Sequence, residues 1–302
     1  MIDLHSHTTY SDGHSTVIEL LKEAQSKGLS LISITDHNTV GAYTEIENSN
    51  VRNLFRGQIM NGVELTTTFN GEVIEILGYQ FDLDVMRRLL DENVLTFEQK
   101  QLREFALIRD TYTAIGVKMN IDDVIFNCKK ESSRIAFCNE IKKYPENNKF
   151  FLNEESISLN SGFTRNEVYN PKSPLYVNQS LLYPSLEKTI DIIHQAGGLA
   201  FLAHTFAYSP TIAENLETII QNYRLDGLEC YYTTFTKEQS KYLIGVCDRY
   251  KLFRSGGSDF HGTNKKNHNL GTGSGGMSIN ESLIAEWCNI KEIKRDSYGF
   301  EH

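Results

Sequence analysis

Four histidine-bearing islands, each following an apolar stretch that reads as a β-strand, constrain this 302-residue chain more than any other feature. They are His5-Ser6-His7 with Asp12 close behind, Asp36-His37, Ala203-His204, and Ser258-Asp259-Phe260-His261; Glu64 and Glu75 lie between the second and third. Side chains at several strand ends of one barrel converge on one mouth. Imidazoles and carboxylates meeting there would bind several hard-to-borderline metal ions, which makes a hydrolytic centre.

Taken singly, most of these residues carry a weak signal. His5 and His7 are two apart, so on a strand they point to one side and can share an ion; a lone His-x-His is common. Asp12, in Ser11-Asp12-Gly13, is by itself an ordinary turn residue. Asp36-His37 follows the run Leu31–Thr35; Asp36 either fixes a ligand imidazole or caps the next segment. Glu75 interrupts Val73-Ile74-Glu75-Ile76-Leu77. An unpaired carboxylate there is costly, so it needs water, a cation or a metal unless the strand has one wet face. His204 alone is equally a satisfied core histidine. Asp259 and His261 follow Gly256-Gly257, a pair that permits close backbone approach. His14, His194, His268 and His302 have no such setting and are taken as surface or structural.

Along the chain, strands are expected at Ile2–His5, Leu29–Thr35, Gln58–Glu64, Val73–Tyr79, Leu199–Ala203, Gly227–Tyr231 and Leu252–Ser255. Thr16 and Glu19 have the form of a capping box, ahead of apolar residues at helical spacing and a Gly28 stop. Further helices are expected within Gly41–Asn53 and over Leu186–Ala196, Ala213–Tyr223 and Lys237–Tyr250. Asn70-Gly71 marks a turn too short for a crossover helix, so strict strand–helix alternation fails there. From Met86 to Ser185 the character changes. One or two long helices, shorter ones over Ile121–Lys130 and Ser133–Lys143, and an Asn-rich stretch suggest an inserted helical subdomain, either overhanging the mouth or unrelated to substrate.

The chain has no apolar run long enough to span a bilayer and opens with no signal-like stretch, so a cytoplasmic protein is expected. Five cysteines at wide spacings read as reduced thiols. A net charge of −9 argues against a general nucleic-acid coat. That argument weakens if acidic residues bind metal, and a local basic patch at the mouth remains open. The sequence does not fix an oligomeric state.

The joint pattern resembles the PHP family, named for its polymerase and histidinol-phosphatase members. The stretches that carry the resemblance are His5-Ser-His-Thr-Thr-Tyr-Ser-Asp-Gly13, Ile32-Ser-Ile-Thr-Asp-His37, Asn61-Gly-Val-Glu64, Glu75-Ile-Leu-Gly78, Gly197-Gly-Leu-Ala-Phe-Leu-Ala-His204 and Gly256-Gly-Ser-Asp-Phe-His-Gly262. The resemblance implies an α/β fold, a distorted seven-stranded (β/α)7 barrel formed by residues 1–85 and 186–302, with 86–185 as the insert. The insert is loosely similar to the helical domain of stand-alone members that act on nucleoside 3′,5′-bisphosphates and short RNA 5′ ends. The resemblance further implies two to three divalent ions, manganese, iron or zinc, with magnesium an alternative. His5, His7, Glu64 and Asp259 would hold the first, Glu64, Glu75 and His204 the second, and Asp12, His37 and His261 the third. Position 75 is typically His in that branch, and Ala-His-Pro is usual where this chain has Ala203-His204-Thr205.

The expected activity is hydrolysis of phosphomonoesters of nucleotides or short oligonucleotides by a metal-bridging hydroxide held by Glu64, His204 and Asp259. Arg134, in Glu131-Ser-Ser-Arg-Ile-Ala-Phe137, is similar to an entrance arginine of those relatives and either clamps a second phosphate or lies in solvent. Lys265 and Lys266 have the same two readings. Two other functions compete: a histidinol-phosphate-type phosphatase, and a non-catalytic regulatory domain stabilised by metal.

Overall fold

The computed structural model describes residues 1–158 and 160–288; His302 lies outside them. Two compact units are distinguished, one comprising residues 1–66, 75–92 and the chain from 186 onward, the other residues 67–74 and 93–185.

The first unit is built on seven strands in sequence order: β1 (Ile2–Asp3), β2 (Leu31–Ile34), β3 (Gln58–Phe69), β4 (Glu72–Tyr79), β5 (Leu199–Leu202), β6 (Gly227–Tyr232) and β7 (Phe253–Gly257). β1, β2 and β3 are parallel, as are β5, β6 and β7, whereas β4 runs antiparallel to β5. The reversal follows from the Asn70-Gly71 turn. Both residues have positive φ, 50° and 82°, which matches a two-residue hairpin turn and returns the chain directly alongside β3. The sheet nearly closes into a barrel. Leu4 N donates to Gly256 O at 3.3 Å, His7 N donates to Phe260 O at 2.8 Å, and Ser6 pairs with Phe260 in a parallel bridge.

The barrel interior is filled by Ile2, Leu4, Leu31, Met60, Tyr79 and Phe201, with Trp287 stacked on Tyr79. Tyr79 is fully buried, and its hydroxyl donates to Leu4 O at 2.9 Å, so the ring ties β4 to the chain end of β1. The expected capping box forms: the Thr16 side chain accepts from Glu19 N while Glu19 reaches back, starting the helix Val17–Ser26. Gly28 ends it with φ 66°.

The second unit has its own core, including Ile108, Tyr112, Phe137, Ile141 and Phe163. The long helix Phe97–Ala114 and the helix Ser133–Ile141 form as expected. The expected helix over Ile121–Lys130 does not. Only a 3-10 turn, Ile121–Asp123, is present, where Asp122 and Asp123 favour turn conformations over a helix interior. Likewise the helix expected over Ala213–Tyr223 is two pieces, Pro210–Glu214 and Leu216–Asn222.

Candidate metal centre

All nine expected ligand residues belong to the first unit and form one continuous group. Glu64 is its hub. One of its oxygens, Oε2, lies 3.2 Å from both His5 Nε2 and His7 Nε2 and 3.3 Å from His37 Nδ1; the other, Oε1, lies 2.9 Å from His204 Nε2. The expectation that Glu64 ends its strand is corrected. β3 continues to Phe69, and Glu64 sits midway along it, level with the end of β2, where His37 pairs with it in a parallel bridge. The hairpin extends the strand past the rim, so the carboxylate reaches the mouth from the middle of a strand.

Asp259 Oδ1 stands 3.4 Å from His5 Nε2, 3.2 Å from His7 Nε2 and 3.3 Å from His261 Nδ1. Its other oxygen accepts from the Tyr232 hydroxyl at 2.8 Å and from Lys265 Nζ at 2.7 Å. One oxygen is thus tied down and the other left for the imidazoles. Glu75 contributes Oε1, 3.4 Å from His37 Nδ1, and Oε2, 3.3 Å from His204 Nε2. Asp12, the most exposed member, places Oδ1 3.1 Å from His261 Nε2 and 3.7 Å from both His7 and His37.

The backbone is bent to achieve this. His204 and Asp259 both have positive φ, 21° and 53°, a conformation that costs a non-glycine residue about 1–2 kcal/mol. At Gly257, an added Cβ would stand 2.4 Å from both the Cβ and N of His5. Only glycine lets β7 approach β1 so closely, and this brings Asp259 to His5.

Three sets among the described residues can each gather ligand atoms around one point: His7, Asp12, His37 and His261; His5, His7 and Glu64; and His37, Glu64 and Glu75. Donors bound to one ion at ~2.1 Å stand roughly 3–3.4 Å apart, and the ligand nitrogen–oxygen separations around Glu64, Glu75 and Asp259 run from 2.9 to 3.4 Å, with Asp12 farther, at 3.7 Å, from His7 and His37. The imidazole atoms also fit. His7 Nε2, His37 Nδ1 and His261 Nε2 are buried without a hydrogen-bond partner although carboxylate oxygens are near. Lone pairs that converge on a point and bond to nothing suit a cation between them.

Without such a cation the carboxylates favour the protonated forms of His7 and His204. Burial alone lowers the pKa of His7 and His204, but Asp259 and Glu64 raise the first to about 9, and Glu64 and Glu75 raise the second to about 10. Burial also opposes charge on Glu64 and Asp259, yet the surrounding imidazoles hold both well below the usual carboxylate range.

Several neighbours differ from expectation. Asp36 neither fixes an imidazole directly nor caps a helix. Its carboxylate accepts from Thr8 N at 2.7 Å, Thr8 Oγ1 at 2.6 Å and Ser11 Oγ at 2.6 Å, and so shapes the loop between His7 and Asp12. Lys265 is not simply solvated but pairs with Asp259 at 2.7 Å. His268, set aside from sequence, donates through Nδ1 to Ser258 O (3.0 Å) and lies 3.7 Å from Asp259. His194 is structural, 2.7 Å from Asp226, and His14 is bound to Thr263. Glu229, overlooked in the sequence, is fully buried against His5. Its signal was available, because it breaks the apolar run Leu228-Glu229-Cys230 much as Glu75 breaks its own strand. Arg134 lies in the second unit. It is not free in solvent but packed over the Tyr169 ring at 5.0 Å, with Glu104 3.5 Å away.

Comparison with known proteins agrees with this geometry. Residues 3–250 match the model of the PHP domain. A 5′-3′ exoribonuclease of Haemophilus influenzae is 26% identical over 264 residues, covering 86% of this chain and 89% of that protein. A 3′,5′-nucleoside bisphosphate phosphatase of Chromobacterium violaceum is 25% identical over 281 residues, covering 89% and 90%. The fold is shared with a solved protein from Bifidobacterium adolescentis, described as a candidate metal-dependent phosphoesterase, with TM-score 0.62, 23% identity and 94% of each chain covered. No helix among the described residues is long and apolar enough to cross a membrane. Imidazoles and carboxylates gathered at the rim of a seven-stranded sheet, and a domain match spanning most of the sequence, lead to one conclusion: the chain belongs to the PHP family.

Proposed function

We propose that this protein is a metal-dependent phosphoesterase that hydrolyses phosphomonoesters of nucleotides or short oligonucleotides. The observation that carries the reading is Glu64, one buried carboxylate within 3.3 Å of four imidazoles drawn from three different strand ends. Such a carboxylate suits a bridge between two ions, with His5, His7 and Asp259 on one side and His204 and Glu75 on the other; Asp12, His37 and His261 suit a third. The ions meant are manganese, iron or zinc, with magnesium an alternative. When bound, they lower the pKa of a coordinated water and neutralise charge on phosphoryl oxygens.

The chain's own residues supply order. Tyr232 and Lys265 hold one oxygen of Asp259 so that the other faces the imidazoles. The Lys265 ammonium, 40% exposed, keeps N–H groups free for a phosphate oxygen. Asp36 keeps Asp12 over the site through the loop it binds. The substrate class rests on the relatives, whose activities are on RNA and on nucleoside bisphosphates.

The test is metal analysis of the purified protein, followed by assays on nucleoside 3′,5′-bisphosphates, 5′-phosphorylated short RNA, histidinol phosphate and an aryl phosphate. Turnover abolished by chelation, restored by manganese, and greatest on the nucleotide substrates is expected. Absence of metal-dependent turnover on every ester would overturn the proposal.

A further inference from the structure

Glu229 lies within β6, fully buried, at the point where the register against β7 shifts between Glu229 and Tyr231. It belongs to none of the metal-gathering sets, yet both of its oxygens are committed to residues of the site. Oε1 lies 2.9 Å from His5 Nδ1, and Oε2 accepts from the His204 backbone N–H at 2.7 Å. We propose that Glu229 is a positioning residue that fixes which nitrogen of His5 is offered to a metal ion and holds the His204 backbone in its left-handed turn. The inference rests on reading the site as a metal centre.

An imidazole that ligates through one nitrogen must carry its hydrogen on the other, and the partner of that second nitrogen decides which is which. A carboxylate oxygen beside Nδ1 accepts that hydrogen. Nε2 is then left with its lone pair between Glu64 Oε2 at 3.2 Å and Asp259 Oδ1 at 3.4 Å. The second oxygen has a different task. His204 sits at φ 21°, ψ 54°, where a non-glycine residue is strained. A backbone N–H can only donate, so the bond to Oε2 has one polarity and ties the turned backbone to β6. One carboxylate therefore sets the ring of a residue after β1 and the main chain of a residue after β5.

Glutamine cannot replace it in both tasks. Its single oxygen can accept from one of the two donors, and its NH2 must face the other. The His204 amide cannot reverse, so the oxygen stays there and the NH2 meets His5 Nδ1. That nitrogen must then accept, and the ring hydrogen moves to Nε2, blocking the atom that would bind metal.

The experiment is zinc titration and imidazole ¹⁵N–¹H NMR on wild type and Glu229→Gln. Zinc-loaded wild type should show His5 with its hydrogen on Nδ1. Glu229→Gln should bind zinc about 10–100-fold more weakly at one site and lose that Nδ1–H signal. If the variant does not fold, the wild-type spectrum alone decides. His5 ligating through Nδ1, or unchanged zinc affinity in Glu229→Gln, would overturn the positioning role. A wild-type protein that takes up none of zinc, manganese, iron or magnesium overturns the metal centre itself, and the role with it.

Discussion

Glu75 Oε2 stands 3.3 Å from His204 Nε2 although β4 runs antiparallel to β5. Because the strand is reversed, a residue near its beginning lies level with the end of its neighbour; Ala203 N donates to Glu75 O at 3.1 Å. The carboxylate thereby enters a group otherwise built, Glu64 apart, from residues past the ends of strands. A carboxylate adds negative charge beside Glu64 and favours a harder ion. Glu75→His should retain metal and shift preference towards zinc, and Glu75→Ala should lose one ion. Metal stoichiometry of both variants checks this; full occupancy in Glu75→Ala would show that the carboxylate holds no ion.

Proton linkage gives a second prediction. His7 and His204 have folded-state pKa values raised to about 9 and about 10 by neighbouring carboxylates, against roughly 6.5 in an unfolded chain. The stabilisation from their charged forms is fully present below pH ~6.5 and is lost as pH rises through 9 to 10. Metal-free protein should therefore melt at progressively lower temperature over that window. Bound divalent ions, which take the place of the ring protons, should flatten the profile. Melting curves with chelator and with added manganese test it, and a chelated protein that gains stability between pH 7 and 10 would count against the charge arrangement.

Arg134 offers a third. Its Nε lies 3.3 Å from Ser132 Oγ and 3.5 Å from Glu104 Oε2, and Glu104 is fully buried. Removing the cation leaves that carboxylate poorly matched, so Arg134→Ala should cost about 1–3 kcal/mol of stability. If the guanidinium also clamps a second phosphate, kcat/KM should fall more for a nucleoside bisphosphate than for an aryl phosphate. Denaturant titration and paired kinetics separate the two effects; equal kinetic losses would confine Arg134 to folding.

Asp3 gives a fourth. Its buried carboxylate accepts from His5 N at 3.2 Å, Ser258 N at 2.9 Å, Ser258 Oγ at 2.6 Å and Gly271 N at 2.6 Å. It thus ties the segment before Asp259 to β1. Asp3→Asn would turn an NH2 towards backbone N–H groups, and a loss of roughly 1–3 kcal/mol is expected. Metal affinity should weaken with it, because Asp259 follows directly. A melting temperature and zinc affinity equal to wild type would show that the hub is dispensable.

Local chemistry made much of this protein legible in its sequence. The capping box at Thr16, the Asn70-Gly71 hairpin and the apolar runs depend on neighbours a few residues away, so they could be read directly. The nine ligand candidates were legible mainly as a joint pattern, through their place near apolar strand runs and the stretches that resemble the PHP family; at Glu75 alone the cost of an unpaired carboxylate inside a strand pointed to a partner. Tertiary structure alone decided who meets whom. Glu229 reaches His5 across 224 positions, and no local pattern pairs them. It also decided that Asp36 holds a loop rather than a ring, that Lys265 and His268 join the edge of the site, and that Glu64 does its work from mid-strand because the hairpin carries β3 past the rim. Those outcomes follow from strand order, strand direction and the closing of β7 on β1, which periodicity along the chain does not encode.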